Sequence, residues 1–223
     1  MIKKVFIFVV LFYTKFVLAQ KLTIVDYFNI LPDSLKYGYE LKLNKAIWQI
    51  NSNAEYIIYP IVDLKNGYIE INDEGTGGGT KRVQVALFRK SDGDAIIAVS
   101  YSFFDGFFNS SIYFLQFKYD KWTIINNEVL PSISYKQFMK QNYVIPSFPF
   151  TPFFFYYDLP HFGTTINVKF HYEYISILCQ NDFIESDLNT KQNACNFLNN
   201  VLLDSMKLYW NKQNSLFQIN KNN

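Results

Sequence analysis

The chain has few of the residues from which recognisable catalytic and metal sites are usually built. Its 223 residues include only 2 histidines and 2 cysteines. No Gly-x-Ser-x-Gly segment occurs, so the nucleophile elbow of the common hydrolase fold is excluded. Neither histidine stands at the short spacing from other ligands that zinc sites use. We therefore expect neither a cofactor nor a bound metal.

An excess of charge of one sign is also lacking. The chain has 21 basic and 19 acidic residues, and three of the lysines fall within the first nineteen positions. Without those three, 18 basic residues stand against 19 acidic ones, a net charge of about −1. Nucleic acids and anionic lipids are bound through basic patches or segments. We therefore expect no nucleic-acid partner.

The first nineteen residues form the most distinctive segment of the chain. Two early lysines precede the apolar run Val5–Tyr13, and Val17-Leu18-Ala19 ends in a small residue. This order predicts a secretory signal peptide, residues 1–19, cleaved after Ala19. A membrane anchor is the alternative, but it needs roughly 20 mostly apolar residues and Lys15 interrupts the run. We expect a secreted or periplasmic protein with no stable membrane span after cleavage.

Both cysteines, Cys179 and Cys195, lie in the predicted mature chain. An exported protein works in an oxidising compartment, where disulfides persist. A bridge between them would close a loop of about 17 residues and contribute about 3 kcal/mol in the chain-entropy description. The alternative is a pair of buried free thiols that pack as small apolar side chains.

Turn dipeptides organise the middle of the chain. Asn66-Gly67, Asp92-Gly93 and Asp105-Gly106 each separate two apolar runs, and Asp120-Lys121 separates two more. Asn-Gly and Asp-Gly favour tight hairpin turns, because these turns require positive φ. The pattern predicts an antiparallel meander of about six strands from Tyr56 to Ile125.

Alternation within the meander predicts a sheet with one packed side. Residues 97, 99, 101 and 103 are apolar, whereas the intervening positions are alanine or serine. A two-residue turn at Asp105-Gly106 would place Val99 opposite Ile112, and Tyr101 opposite Ser110.

Shorter elements flank the meander. Leu31–Leu35 is typical of a helix start capped by Asp33 or Ser34, and residues 44–50 have helical spacing. The later pattern predicts a short helix over 135–141, a strand over 165–178, a helix over 191–203, and a hairpin from 206–210 and 216–219. The fold class is therefore α+β: a mainly antiparallel sheet with short packed helices and a C-terminal strand–helix–hairpin unit. We expect one domain, 20–223, or two sub-lobes, 20–145 and 146–223.

An aromatic segment between residues 148 and 157 is the candidate contact site. Its prolines exclude a helix interior and a central strand. In one interpretation its rings contact a partner, a lipid or a sugar, because exposed apolar patches usually mark contacts. In the other, the segment is a strap buried within its own domain. The aromatic residues are Phe148, Phe150, Phe153, Phe154, Phe155, Tyr156 and Tyr157.

Other chemical patterns are weaker. The segment Gly75–Lys81 resembles a phosphate loop, but its Lys81 is not followed by Ser or Thr and a strand is predicted next. His171 and Glu173 alternate on the predicted strand 165–178 and would form an acid–base pair or a solvated ion pair. His161 and Asp158 have no metal-ligand spacing.

Three segments resemble an uncharacterised family of secreted bacterial proteins, a domain of unknown function. They are Leu31–Leu35, the predicted helix near Asn44-Lys45, and Ser111–Phe114 with the stretch up to Trp122. The resemblance covers roughly residues 27–131, and Gly75–Gly79 has no counterpart in it. It implies an exported α+β protein without a recognised active site.

We therefore predict an exported, non-enzymatic binding or interaction protein of the bacterial envelope. An envelope protein or a small apolar ligand is the expected partner. One alternative is a carrier that holds the small apolar ligand inside a curled β-sheet. A second is an exported hydrolase that uses His171 and Glu173.

Overall fold

A computed structural model describes residues 21–51, 56–75, 79–105, 108–148, 154–180 and 188–219. Every pairing between its strands is antiparallel, so the predicted α+β class with mainly antiparallel sheet is confirmed. The elements, in chain order, are α1 (Ile24–Ile30), α2 (Asp33–Lys36), β1 (Leu41–Asn44), β2 (Ile47–Asn51), β3 (Ile57–Ile58), β4 (Ile61–Asp63), β5 (Tyr68–Asp73), β6 (Thr80–Arg89), β7 (Ala95–Phe104), β8 (Phe108–Lys118), β9 (Lys121–Ile124), α3 (Asn126–Val129), a 3₁₀ turn (Tyr135–Gln137), β10 (Phe154–Asp158), β11 (Thr165–His171), α4 (Glu173–Gln180), α5 (Leu188–Leu198), β12 (Ser205–Asn211) and β13 (Leu216–Ile219).

The predicted meander is confirmed as a six-stranded sheet, here called the central sheet. Its strands follow one another from β4 to β9 in chain order. Two details differ. The last turn is Tyr119-Asp120, both with positive φ, because Lys121 already pairs with Lys118. Phe104 pairs with Phe108, so three residues separate β7 from β8, rather than the two predicted.

That extra loop residue changes the register of the hairpin. Val99 pairs with Tyr113 rather than with Ile112, and Tyr101 pairs with Ser111 rather than with Ser110. Gly106 itself lies outside the described residues.

The central sheet is packed on both faces, so the predicted single packed side is wrong. On its outer face, Val85 and Val99 pack in one core with α1, α2 and the small sheet β1–β3. On its inner face, Phe88 and Phe114 pack in a second core with the second sheet, β10–β13, and with α4 and α5. Both faces of β6, β7 and β8 are therefore withdrawn from water over much of their length.

The N-terminal elements differ most from the sequence-based expectation. Residues 44–50 form no helix: Lys45 and Ala46 both adopt positive φ and turn β1 into β2. Helical spacing and strand alternation both fit so short an apolar run, and pairing of Leu41 with Ile50 above the outer core decides between them. The predicted strand from Tyr56 is also divided at Pro60, where β3 joins the small sheet and β4 joins the central sheet.

The predicted helix start at Leu31–Leu35 coincides with α2, but the cap residue is Pro32 rather than Asp33 or Ser34. The preceding helix, α1, was not predicted. Thr23 and Asp26 begin it as a capping box: the Thr23 amide donates to the Asp26 carboxylate over 2.8 Å, and the Asp26 amide donates to the Thr23 hydroxyl over 3.3 Å.

The predicted strand 165–178 ends early, at His171, and α4 follows it. Ile175 and Leu178, three positions apart, are both buried on one side of this helix. A strand would have placed these two residues on opposite faces. Helix α5 begins and ends earlier than predicted, and it buries Ala194 and Phe197. A disulfide between Cys179 and Cys195, with Cα atoms 4.9 Å apart, joins the two helices.

Two other C-terminal predictions have clear outcomes. The helix over 135–141 is reduced to the 3₁₀ turn Tyr135–Gln137. The hairpin from 206–210 and 216–219 is confirmed as β12 and β13, and it completes the second sheet.

Gly79 precedes β6 and provides a test of how closely the central sheet packs at this end. Its φ is +86°, and a Cβ there would lie 2.3 Å from the carbonyl oxygen of Phe104. We expect Gly79→Ala to lower the free energy of unfolding in urea by clearly more than Gly93→Ala. Gly93 has a similar φ, +92°, but no heavy atom lies within 4 Å of the methyl group that alanine would add, so its substitution should cost only the backbone strain of about 1–2 kcal/mol. Equal losses would show that close packing at Gly79 contributes nothing.

Candidate functional site

The inner face of the central sheet changes character along its strands. Paired residues of antiparallel strands share a face, and residues two apart along a strand share it too. Near the core, this face carries Ala86, Ala98 and Phe114 in one row. Two rows of mainly polar side chains follow, and the last row, at the end of the sheet, carries aromatic rings.

We call the two rows nearest that end the hydroxyl row and the aromatic row. The hydroxyl row runs from Arg82 through Ser102 to Ser110, and the aromatic row runs from Thr80 through Phe104 to Phe108. An open groove of about 280 Å³ lies there. This tip groove is lined by Asn72, Asp73, Glu74, Thr80, Lys81, Arg82, Ser102, Phe103, Phe104 and Phe108.

Arg82 lies at the base of the tip groove and joins the two large sheets. Its Nη1 donates to Asp158 Oδ1 of β10 over 2.7 Å, and its Nη2 donates to Glu70 Oε2 of β5 over 2.9 Å. Lys169 Nζ lies 3.1 Å from the second oxygen of Asp158. Two cations and two carboxylates thus compensate one another.

The environment of Glu70 fixes its charge. Burial alone would raise its pKa, but hydrogen bonds from Tyr68, Arg82, Asn72 and Gln84 lower the pKa to about 2. Glu70 is therefore ionised at neutral pH and a weak base. Its role is to hold the guanidinium of Arg82 in place.

Two side chains of the central sheet bind the backbone at the end of β10. The Gln84 side-chain oxygen accepts a hydrogen bond from the Leu159 amide over 3.0 Å, and the Ser100 hydroxyl donates to the Tyr157 carbonyl over 2.6 Å. The amide nitrogen of Gln84 also donates to the Tyr68 hydroxyl over 2.7 Å. These bonds fix the position at which β10 crosses the inner face.

Asp73, on the other side of the tip groove, is also fully engaged. Its carboxylate accepts hydrogen bonds from the hydroxyls of Tyr39 over 2.7 Å and Tyr56 over 2.5 Å, and from the Gly75 amide over 3.0 Å. Burial would raise its pKa, but these hydrogen bonds lower it. Asp73 therefore remains a charged, already coordinated group.

The predicted aromatic segment divides between the core and the surface. Phe155 packs on Phe138 and Phe170 with ring centroids 5.3 Å and 5.4 Å away. Tyr157 also packs against the inner core, as does Phe148. The packing of these three rings against the core is what the interpretation of the segment as an internal strap predicts. Phe150 and Phe153 lie outside the described residues.

Phe154 and Tyr156 point to the other side of β10 and meet the aromatic row. Their ring centroids lie 6.2 Å and 5.4 Å from that of Phe108. Phe154 is 36% exposed and Phe104 is 47% exposed, so an accessible apolar surface continues from the tip groove onto β10. Among the described residues of the segment, Phe154 and Tyr156 thus form the side that adjoins this accessible surface.

The predicted pair His171 and Glu173 does meet, although Glu173 begins α4 rather than continuing the strand. His171 Nε2 lies 3.7 Å from Glu173 Oε2, and its ring stacks on Phe108 at 4.5 Å. Burial lowers the pKa of His171, and the charge of Glu173 only partly offsets this effect. The imidazole is therefore neutral at pH 7.

His161 lies apart from Asp158, which binds Arg82. The Nε2 atom of His161 lies 3.0 Å from Asp63 Oδ2, and the ring of His161 stacks on that of Tyr68 with the centroids 4.7 Å apart. Hydrogen bonds from Asn66 chiefly lower the pKa of Asp63, to about 2. Within the described residues, no three or more His, Cys, Asp or Glu side chains are grouped so that they could hold a metal ion.

The sequence interpretation overlooked Arg82, Gln84, Ser102 and Phe104. A usable signal was present. Arg82 and Gln84 alternate with valines in β6, and Ser100 and Ser102 alternate with apolar residues in β7. Polar side chains on the same face of adjacent paired strands indicate a polar zone in an otherwise apolar sheet.

Comparisons with known proteins support the fold alone. No family model matches the chain, and no curated protein matches it. A solved structure described as a domain of an uncharacterized protein from Porphyromonas gingivalis W83 is similar, with a TM-score of 0.56 and 12% sequence identity. The match covers 88% of this chain and 97% of that chain. Of the helices that the structure describes, none is long and apolar enough to cross a membrane.

The ion pairs of Arg82 lead to a pH-dependent prediction. We expect Arg82→Gln to lower the free energy of unfolding by about 1–3 kcal/mol at pH 7, because Glu70 loses its charged partner and Asp158 keeps only the charge of Lys169. The pKa of Glu70 is depressed in the folded wild type, so its contribution is present above its ordinary pKa and is lost as the pH falls towards about 2. The deficit of the variant should therefore shrink on acidification.

The control for this prediction is Lys118→Gln. Lys118 pairs with Asp94 at 2.7 Å, but the two side chains are 51% and 39% exposed and water screens the pair, so its loss should cost less than about 1 kcal/mol. Urea unfolding from pH 7 down to pH about 3 measures both variants. A deficit of Arg82→Gln that does not change with pH would contradict the electrostatic role of this residue.

Proposed function

We propose that the protein is an exported, non-enzymatic binding protein of the bacterial envelope that takes its ligand or partner in the tip groove. The predicted signal peptide supports export, and the likeness to a domain of an uncharacterized protein supports the fold alone. The groove supplies the binding surface. Its exposed side reaches Phe154 and Tyr156, which belong to the aromatic segment that the sequence marked as a contact site.

One observation carries this proposal: Arg82 and Asp73 are already engaged by groups of the protein, while the ring of Phe104 and the hydroxyl side chains Thr80 and Ser102 line the groove. Arg82 and Asp73 are held by protein partners. Phe104 is half exposed at the groove. Apolar surface with a few convergent polar groups is the usual composition of a binding site.

The two alternative functions have less support. A general base works best with a pKa near the working pH, whereas Glu70 and Asp63 have pKa values of about 2. His171 is neutral at pH 7 and stacked on Phe108, and its Nε2 lies 3.7 Å from Glu173 Oε2, outside hydrogen-bond reach. A carrier would need space inside the sheet, but Phe88 and Phe114 pack there on Phe217.

Substitution of Phe104 tests the proposed groove. The immobilised mature chain is incubated with an extract of the producing cell's envelope and medium, and retained protein, glycan and lipid are quantified separately. We expect wild type to retain a component that Phe104→Thr retains about tenfold less, because removal of a contacting ring costs apolar contact area. Thr suits a strand, so the fold should persist.

Tyr119→Asn is the matched control. Tyr119 is 95% exposed in the turn between β8 and β9, and asparagine tolerates its positive φ. This variant should retain the same material as wild type. If Phe104→Thr and Tyr119→Asn both behave like wild type, the tip groove is not the binding site.

A further inference from the structure

We infer that the ligand of the tip groove is a neutral glycan. This inference rests on the proposed function and specifies the chemistry of the same site. Three properties of the groove carry it: its balanced charge, the flat rings at one end, and the free hydroxyls between them.

The charge of the groove favours a neutral ligand. Its four ionisable lining residues are Asp73, Glu74, Lys81 and Arg82, two of each sign. Arg82 is paired with Glu70 and Asp158, and the charged carboxylate of Asp73 is already hydrogen bonded by Tyr39, Tyr56 and Gly75. Lys81 lies over the ring of Phe103, 5.9 Å from its centroid. A charged ligand would therefore meet no net opposite charge and would lose its own hydration.

The aromatic row provides an apolar surface of tilted rings, with Phe108 at angles of 45° to Phe154 and 57° to Tyr156. Phe104 and Phe108 are cross-strand partners, and Phe154 and Tyr156 extend the surface beyond them. A sugar ring has an apolar face of C–H groups, which can cover such rings while its hydroxyls point to the sides. Burial of that face against phenylalanine removes apolar surface of both partners from water.

The hydroxyls lie where the edges of such a sugar would be. Thr80 and Ser102 both line the groove, and neither side chain has a hydrogen-bond partner among the described residues. Each hydroxyl can both donate and accept, which suits the hydroxyls of a sugar.

An apolar ligand fits this arrangement less well. A lipid chain laid over the rings would also cover Thr80, Ser102 and Arg82 and could offer these polar groups no hydrogen bond. A glycan covers the rings and the hydroxyls together. Because the hydroxyl row and the aromatic row lie next to each other, the groove favours a ligand that has both hydroxyls and an apolar face.

Affinity electrophoresis of the mature chain tests this inference. The gels contain one of four neutral polysaccharides (xylan, mannan, a β-glucan or an α-glucan) or one of two anionic ones (polygalacturonate or heparin). We expect at least one neutral polysaccharide to retard wild type and neither anionic one to do so. Retardation should be the same at about 0.05 M and 0.5 M salt, because screening acts only on charged contacts.

Two groove variants and one control identify the site. Phe104→Ala removes a ring, and Ser102→Ala removes a hydroxyl without adding an atom; each should weaken the affinity for the neutral glycan about tenfold. Tyr119→Asn should bind as wild type does. Circular dichroism of each variant confirms that the fold is kept, so that a loss of binding reports on the groove.

Other results would overturn the inference. Retardation by heparin or polygalacturonate alone, by no polysaccharide, or equally in all variants would each do so. The extract experiment separates this failure from that of the proposed function. If Phe104→Thr loses a protein or a lipid, the groove is a binding site for another class of molecule and only the glycan inference fails.

Discussion

Arg82 holds the two large sheets of this protein in their relative position. Its guanidinium group reaches Glu70 within the central sheet and Asp158 on β10. Apolar packing between Phe88, Phe114 and the second sheet drives the association of the layers, but such packing is not directional. A planar guanidinium with two carboxylate partners allows only a narrow range of geometries. Together with the bonds from Gln84 and Ser100, the ion pairs therefore determine where β10 crosses, and hence where its aromatic side adjoins the tip groove.

The free energy needed to remove Arg82 and its carboxylate partners from water explains why polar side chains surround them on the inner face. Taking charges out of water is unfavourable unless they are paired and hydrogen bonded. Here the compensating groups form a continuous polar zone between the core rows and the end of the sheet. The zone leaves Arg82 partly accessible, and it separates the rings of the tip groove from those of the core. A surface of exposed phenylalanines can thus exist at the end of a sheet without merging into its interior.

Local turn chemistry made the central sheet predictable, because Asn-Gly and Asp-Gly dipeptides report directly on positive φ. The turn at Lys45-Ala46 gave no such signal, since these residues rarely adopt positive φ, and the β1–β2 hairpin was mistaken for a helix. The change from β11 to α4 was missed because residues 172–178 fit either period. The tip groove itself depends on pairings such as Arg82 with Ser102, and on contacts between residues more than seventy positions apart, such as Arg82 with Asp158. No local pattern encodes those contacts.

The bonds from Gln84 and Ser100 to the backbone near β10 have a consequence for solubility. β10 is an edge strand and carries four consecutive aromatic residues, Phe154–Tyr157. An aromatic edge with free backbone groups is a template on which other chains can add strands and begin to aggregate. The Tyr157 carbonyl and the Leu159 amide are instead occupied by side chains of the central sheet. The same contacts that place β10 thus also hinder the addition of another strand at this end of its edge.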